Sequence, residues 1–514
     1  MQRRQVFVQL AAAAAVLSLA VPLSGCTARQ EEPEPSDPQV HEAGTVAIFT
    51  PTDGLTISQH TPLNKWQALT PELEQALQEQ GFSREDIHVH TSDGLARQSR
   101  DIQDYVVEAL TPGEDDPQPD EITLVVAPAV EAGGATRQYG DYVTEHIDWN
   151  ADDIESQDGE ISEDDRKAEQ DAQRLVTALD LAKEAGMRVV LMASTITGFT
   201  PDAYVQMSDA ERIGAIQAQN IVDKLKLDTT SVENPKYVEV MLPRNTVSED
   251  SSDADESEQE TDEFAAATFR GVWNVLAPYF QDGRALSPSG LLTAETTTDD
   301  WRSVAFDASD EDAIAAELTQ RLGMDDADAG HTRVDGIIAM NDYVASSVIG
   351  QLSSLGYVGT SADINPSISI SGIVGNIAGR KDLVKQPVPD PIKAPEESDD
   401  NADGDIDDDI ERMNSRWPIV TGYGAYLDII PRIVDGQQWM TALEDRVAIS
   451  DDVAQICARL DADKPLDDLE GISTTDINGS KVPTLTEPLV AVSASNLKEA
   501  LIDPGYITLA DAGL

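Results

Sequence analysis

Cysteine, histidine and basic residues are scarce in this sequence of 514 residues. Two cysteines and six histidines argue against a disulfide scaffold and against a Cys/His zinc site. Only 35 Lys and Arg oppose 95 Asp and Glu, which gives a formal net charge of −60. Nucleic-acid phosphates and anionic lipid headgroups both require clustered basic residues. We therefore expect an acidic globular protein of two or more lobes that does not bind nucleic acid.

The N-terminus has the pattern of an export signal. Basic residues 1–4 precede an apolar run over residues 6–23, and Leu-Ser-Gly-Cys follows, ending at Cys26. This order is typical of a signal peptide (1–25), and its end resembles the bacterial lipobox, in which the cysteine is lipidated. The alternative is an ordinary signal peptide with an incidental cysteine. Residues 26–44 would then be a lipidated Cys26 and a disordered tether, holding the protein to the outer face of the cell membrane.

The body alternates short apolar runs with amphipathic stretches. Residues 45–50 (TVAIFT), 122–129 (ITLVVAPA) and 334–340 (VDGIIAM) predict buried parallel strands. Amphipathic patterns between such runs predict helices, at residues 64–80, 95–110, 168–185, 209–226, 261–280, 312–321 and 342–355. Further strands are predicted at residues 87–91, 188–194, 237–242 and 289–293. Two such runs of strands predict an α/β protein of two doubly wound parallel-sheet lobes, with a ligand cleft between them.

Acidic segments interrupt this rhythm at residues 113–120, 148–165, 249–263 and 396–411. We interpret them as solvated loops, and solubility alone would account for them. Within the last one, Asp399, Asn401 and Asp403 have calcium-loop spacing, but Glu411 comes one residue after the twelfth position. A weak calcium site and an acidic linker both remain open, and no cofactor is expected. The sequence contains no G-x-S-x-G or H-E-x-x-H motif, so we do not expect an enzyme.

Several segments together resemble the type 1 periplasmic-binding-protein family, in particular its sugar-binding, xylose-binding-like branch of ABC importers. The matching segments are Lys65-Trp66, residues 124–128 (LVVAP), 213–222 (IGAIQAQNIV), 334–345 (VDGIIAMNDYVA), 432–441 (RIVDGQQWMT) and 482–507. The resemblance implies a three-crossover hinge between two lobes. Lobe 1 is expected over residues 45–197 plus 422–442, and lobe 2 over 198–421 plus 443–514. The crossovers are expected near residues 194–199, 421–423 and 442–445.

The resemblance also implies a ligand site, although part of the family's pattern is absent. The expected ligand-binding residues are Lys65, Trp66, Ser194, Thr195, Asn341, Asp342 and Tyr423. Helix capping is the alternative role for Asn341 and Asp342, and core packing is the alternative for Trp66. Ala193-Ser194-Thr195 stands where the family has Tyr-Asp-Arg, and Gly422-Tyr423-Gly424 stands where it has Gly-Gln-Asp. These departures remove charged and amide groups that would contact a sugar.

Two functions follow as hypotheses. The first is a membrane-anchored solute-binding protein that delivers a carbohydrate-like ligand to an ABC permease. The second is a binding-protein fold with a degenerate sugar site that acts as a surface receptor or interaction module. The lipobox is compatible with both, whereas the departures from the family pattern favour the second.

Overall fold

The computed structural model describes residues 44–52, 62–113, 116–130, 134–143, 146–150, 163–244, 254–326, 330–361 and 406–514. The signal peptide, Cys26 and the calcium candidates Asp399, Asn401 and Asp403 lie outside these residues. In the described part of the chain, no helix is both long and apolar enough to cross a membrane.

The described elements alternate between strands and helices. The strands are β1 (Thr45–Pro51), β2 (Ile87–Ser92), β3 (Ile122–Val126), β4 (His146–Ile147), β5 (Arg188–Met192), β6 (Thr195–Ile196), β7 (Ala203–Val205), β8 (Lys236–Val240), β9 (Leu242–Arg244), β10 (Ala285–Leu286), β11 (Ala305–Asp307), β12 (Gly336–Ile338), β13 (Ile419–Thr421), β14 (Met440–Leu443), β15 (Ile472–Ile477), β16 (Ser480–Leu485) and β17 (Val490–Ser493). The helices are α1 (Trp66–Glu79), α2 (Leu95–Ala109), α3 (Gly134–Arg137), α4 (Glu163–Glu184), α5 (Ala210–Leu225), α6 (Ala254–Gln281), α7 (Glu311–Arg321), α8 (Asp342–Ser354), α9 (Ile406–Asn414), α10 (Ile430–Val434) and α11 (Arg446–Asp461).

Two sheets form the centres of two lobes, which confirms the predicted α/β class. The first sheet has the order β15-β16-β7-β5-β3-β1-β2, and the second has the order β10-β8-β12-β13-β14-β17. All strands of the first sheet pair in parallel except β15 with β16, and all of the second except β14 with β17. Strands such as β3 and β12 are buried along their whole length, as expected of parallel strands covered by helices on both faces.

The chain passes between the two sheets three times. It leaves the first sheet after β7 through residues 206–209, returns after β14 through residues 444–445, and leaves again after β16 through residues 486–489. Asp209 and Asp445 each cap the helix that follows their crossover, by accepting from Arg212 N (2.9 Å) and Ala448 N (3.1 Å). A short polar crossover followed by a capped helix is a sharp change of direction that the sequence encodes locally.

The crossovers differ in part from those expected. Only the one near residues 442–445 lies where the sequence placed it. The chain does not cross at residues 194–199, because β7 continues the first sheet beside β5. It does not cross at residues 421–423 either, because β13 and β14 are neighbours in the second sheet. Residues 422–442 therefore belong to lobe 2, and α11, β15 and β16 belong to lobe 1.

Two local expectations also fail. Residues 289–293 form no strand, and the edge strand of the second sheet is the two-residue β10 instead. Three acidic segments are not loops throughout: helix α4 begins at Glu163 within segment 148–165, helix α9 at Ile406 within segment 396–411, and helix α6 at Ala254 within segment 249–263. Acidic residues are favourable in the first turn of a helix, because the N-terminal end of the helix dipole is positive. Asp262 within this segment also pairs with Arg244 and Arg302, at 2.6 Å each.

Candidate functional site between the lobes

The three crossovers start at the carboxyl ends of β7, β14 and β16, each of which pairs in parallel with a neighbouring strand. Ligands of doubly wound sheets bind at such strand ends. Four non-glycine residues with positive φ follow strands there: Ala193 (φ 60°), Ser208 (43°), Met340 (65°) and Ala425 (49°). Left-handed backbone at residues other than glycine costs free energy and is concentrated at functional sites. This region is therefore our candidate site.

Asn341 and Asp342 follow β12 and are both fully buried. Asn341 caps helix α8 by accepting from Val344 N at 2.9 Å. The carboxylate of Asp342 accepts from Gln438 Nε2 (2.7 Å), Thr441 Oγ1 (2.7 Å) and the backbone N–H of Tyr426 (3.0 Å). Burial raises the pKa of Asp342 to about 6, although these hydrogen bonds counteract the rise.

Gly422 makes this arrangement possible. A Cβ at that position would lie 2.2 Å from Asp342 Oδ1, so only glycine lets the β13 end approach the carboxylate. Asp342 is thus the centre of a hydrogen-bonded network within lobe 2, and its side chain is fully engaged by the protein itself.

Tyr423 joins the two lobes. Its hydroxyl accepts from Asn64 Nδ2 at 3.2 Å and lies 2.8 Å from Ser208 Oγ in the first crossover. Its backbone carbonyl accepts from Asp342 N at 2.9 Å. Burial holds the pKa of Tyr423 well above its ordinary value, so the hydroxyl stays protonated.

Glu444, in the second crossover, is a site residue that sequence reasoning missed. Its Oε1 accepts from Ser208 N, and its backbone N–H donates to Asn64 Oδ1 at 3.4 Å. Its Oε2 is buried and has no hydrogen-bond partner within the described chain. Burial raises its pKa to about 7, against the opposing effects of Ser208 and the nearby Arg212. The available signal was a pair of acids, Glu444 and Asp445, directly after the strand β14.

The predicted residues of lobe 1 lie in two separate places. Lys65 Nζ is 3.0 Å from Asp141 Oδ1, and the Lys65 carbonyl accepts from Tyr142 OH at 2.6 Å. Trp66 is only 3 % exposed and packs in the core of lobe 1, edge-on to Tyr142 with ring centroids 4.9 Å apart. This is the core position that was the alternative for Trp66.

Ser194 and Thr195 follow β5 and form the second group. Ser194 is buried, whereas Thr195 begins the short strand β6, which pairs with β4. Thr195 Oγ1 lies 2.7 Å from His146 Nδ1. The structure therefore brings Asn341, Asp342 and Tyr423 together. The hydrogen bonds described above for these three residues do not include Lys65, Trp66, Ser194 or Thr195.

The connection between β3 and β4 links Lys65 in lobe 1 to Asn341 in lobe 2. Asp141 and Tyr142 hold it to Lys65 in lobe 1, as described above. Gln138 and Tyr139 of the same segment contact lobe 2, where Asn341 Nδ2 donates to Gln138 Oε1 at 3.1 Å. The rings of Tyr139 and Tyr423 are 6.2 Å apart. Sequence reasoning missed both residues, because nothing in the local pattern indicates that a loop reaches the other lobe.

No group of three or more His, Cys, Asp or Glu side chains suited to a metal ion occurs in the residues that the structure describes. The polar groups present are carboxyl, amide and hydroxyl groups, and they alternate with aromatic rings. Such a mixture is suited to a polyhydroxylated ligand.

The chain is similar in sequence to a known periplasmic protein. No family model matches the sequence. The chain is 24 % identical over 341 residues to the multiple sugar-binding periplasmic protein SbpA of Azospirillum brasilense, covering 66 % of this chain and 72 % of that protein.

Two solved structures, an ABC transporter solute-binding protein and a carbohydrate transporter solute-binding protein, are similar to this one. The one from Clostridium phytofermentans, with bound beta-D-glucose, is 16 % identical with a TM-score of 0.48, covering 91 % of this chain and 99 % of that one. The one from Chloroflexus aurantiacus, in complex with D-glucose, is 18 % identical with a TM-score of 0.48, covering 91 % and 97 %.

Proposed function

We propose that this protein is an extracytoplasmic, membrane-anchored solute-binding protein that delivers a sugar or sugar-like ligand to an ABC importer. The observation that carries the proposal is the two-lobed architecture, in which three crossovers gather buried polar and aromatic side chains at the carboxyl ends of both sheets. Such lobes close over a ligand by hinge motion at the crossovers. The name of the Azospirillum brasilense relative supports a sugar as the ligand.

The chemistry of the site supports a sugar of modest size. The ring of Tyr423 can contact the C–H face of a pyranose. Asn64, Ser208 and Asn341 can exchange hydrogen bonds with its hydroxyl groups once the lobes separate, and each neutral hydrogen bond contributes about 0.5–1.5 kcal/mol. The affinity would thus come from several neutral hydrogen bonds rather than from ion pairs.

The anchor is the second part of the proposal. Leu-Ser-Gly-Cys, ending at Cys26, supports lipidation, which would keep the acidic protein beside a membrane-bound permease. Palmitate labelling of cells that express the full chain tests this. The wild type should incorporate label and Cys26→Ser should not; labelling of Cys26→Ser would remove the anchor from the proposal.

Transport itself is tested by uptake of radiolabelled sugars in cells that lack the gene. Uptake of one sugar class should fall and return with the full chain, but not with Cys26→Ser. Unchanged uptake of every sugar would favour the second candidate function, a surface receptor or interaction module. One observation favours that candidate: Asn341, Asp342 and Tyr423 already satisfy their hydrogen bonds within the protein.

A further inference from the structure

Gln138 lies between the lobes and makes three polar contacts with lobe 2. Its Oε1 accepts from Asn341 Nδ2 (3.1 Å), and its Nε2 donates to the carbonyl of Ala308 (3.2 Å). Its backbone carbonyl accepts from Tyr426 OH (2.7 Å). The side chain and backbone of a lobe 1 residue thus satisfy polar groups that follow three different strands of lobe 2, namely β11, β12 and β13.

Tyr139 adds an apolar face to the same contact. It is 1 % exposed and packs among the core residues of lobe 2 although it belongs to the connection from lobe 1. Its ring meets Phe264 of helix α6 edge-on, with centroids 4.9 Å apart, and lies 6.2 Å from the ring of Tyr423. Burial raises the pKa of its hydroxyl, and a hydrogen bond with Asn341 lowers it in part.

An amide beside a ring offers what a bound sugar would offer. The amide has an acceptor and a donor on neighbouring atoms, as vicinal hydroxyl groups do, and the ring presents an apolar face. We infer that Gln138 and Tyr139 are an intramolecular occupant of the interlobe ligand site, which a cyclic polyol has to displace before it binds. The inference rests on the proposed function, because it assigns the identity of the ligand class to that function's site.

Asp141 and Tyr142, which follow this pair, are held to lobe 1. Asp141 N donates to the Asn64 carbonyl at 2.9 Å, Asp141 Oδ1 pairs with Lys65, and Tyr142 OH donates to the Lys65 carbonyl. These contacts all lie within lobe 1, so they persist when the lobes separate. Gln138 and Tyr139 would leave lobe 2 with the opening of the hinge.

The energetic consequence is a reduced apparent affinity. When only a fraction of the molecules has an empty site, the apparent dissociation constant is the intrinsic constant divided by that fraction. If the occupied state outnumbers the empty state about tenfold, removal of the occupant lowers the apparent dissociation constant about tenfold. The inference therefore predicts tighter binding from the loss of a polar contact.

The test compares Gln138→Ala with Arg137→Ala in the purified protein. Arg137 is the exposed neighbour at the end of helix α3, so its variant is the matched control. Titration calorimetry with D-glucose, D-xylose and myo-inositol gives the dissociation constants. Amide hydrogen exchange of peptides over residues 264–268 and 341–344, without ligand, reports whether the contact with lobe 2 is lost. Tyr139→Phe, which keeps the ring, serves as a second and milder variant.

We expect Gln138→Ala to bind at least one of these sugars about tenfold more tightly than the wild type and to exchange faster over both peptides, and Arg137→Ala to match the wild type. Equal or weaker binding in Gln138→Ala overturns the inference and leaves the proposed function standing. If no variant binds any of the sugars but exchange is faster in Gln138→Ala, the interlobe contact is real and the proposed ligand class fails. No binding and unchanged exchange overturn both.

Discussion

Replacement of Glu444 by Gln tests whether the crossovers hold a buried acid. Glu444 is 1 % exposed and lies beside Ser208, Asn64 and Tyr423 where the two lobes meet. Glutamine keeps the shape of the side chain and an oxygen that can accept from Ser208 N. It cannot ionise, so the variant removes the charge and little else.

The magnitude follows from the pKa of Glu444. Its value rises from 4.5 to about 7 because of burial. The folded protein therefore retains the proton up to a pH of about 7, whereas the unfolded chain releases it near 4.5. This retained proton on Glu444 stabilises the folded state. The stabilisation is fully present below the pKa of the unfolded chain and is lost as the pH rises through the pKa of the folded protein. A difference of about 2.5 between the two pKa values corresponds to about 3 kcal/mol at alkaline pH.

Urea unfolding of the wild type and Glu444→Gln at pH 5 and pH 8 measures this contribution. From pH 5 to pH 8, the free energy of unfolding of the variant should rise by about 2.5 kcal/mol relative to that of the wild type. Burial also raises the pKa values of Asp342 and Glu487, to about 6 and about 7. Both residues are present in the wild type and in the variant, so they give both proteins the same direction of pH dependence. The difference between the proteins isolates Glu444, and Glu295→Gln in an exposed loop is the control. A difference that stays constant with pH would refute the buried acid.

Two further predictions concern packing within lobe 2. Arg321→Met removes the partner of the buried carboxylate of Glu239, which lies 3.0 Å away; it should cost about 3–5 kcal/mol in urea unfolding, and a loss below about 1 kcal/mol would contradict the ion pair. Gly271→Ala would place a Cβ 1.8 Å from a backbone oxygen of helix α5 and should cost about 1–3 kcal/mol. Gly350→Ala in helix α8, where a Cβ meets nothing within 4 Å, should instead stabilise by up to about 1 kcal/mol; equal effects of the two glycine variants would refute the close helix packing.

Local patterns predict most elements of the fold. The runs at residues 45–50 and 334–340 become β1 and β12, because buried parallel strands require continuous apolar residues. The crossovers are less predictable, since they depend on which strands pair. Strand β7 has only three residues, too few for a recognisable pattern, yet its pairing with β5 and β16 keeps residues 198–205 in lobe 1.

The site is less predictable than the fold because its contacts are distant in sequence. The pattern around Asn341 and Asp342 correctly locates a strand followed by a capped helix. The partners of Asp342 include Gln438 and Thr441, almost one hundred residues away, and Tyr423 meets Ser208 from the other side of the hinge. No local spacing reveals these pairs. Because of these pairs, the side chains of Asp342 and Tyr423, which were predicted to contact a ligand, are hydrogen-bonded to the protein itself in this structure.

Thermal melting of the purified protein with pentoses, hexoses and oligosaccharides, each with calcium and with chelator, tests the sugar-delivery function most directly. A sugar at 100 times its dissociation constant should stabilise the folded state by about 2.7 kcal/mol, with or without calcium. A protein that delivers a sugar should show such a shift with one class of sugar. Cooperative melting that no sugar shifts would contradict a sugar-delivery function.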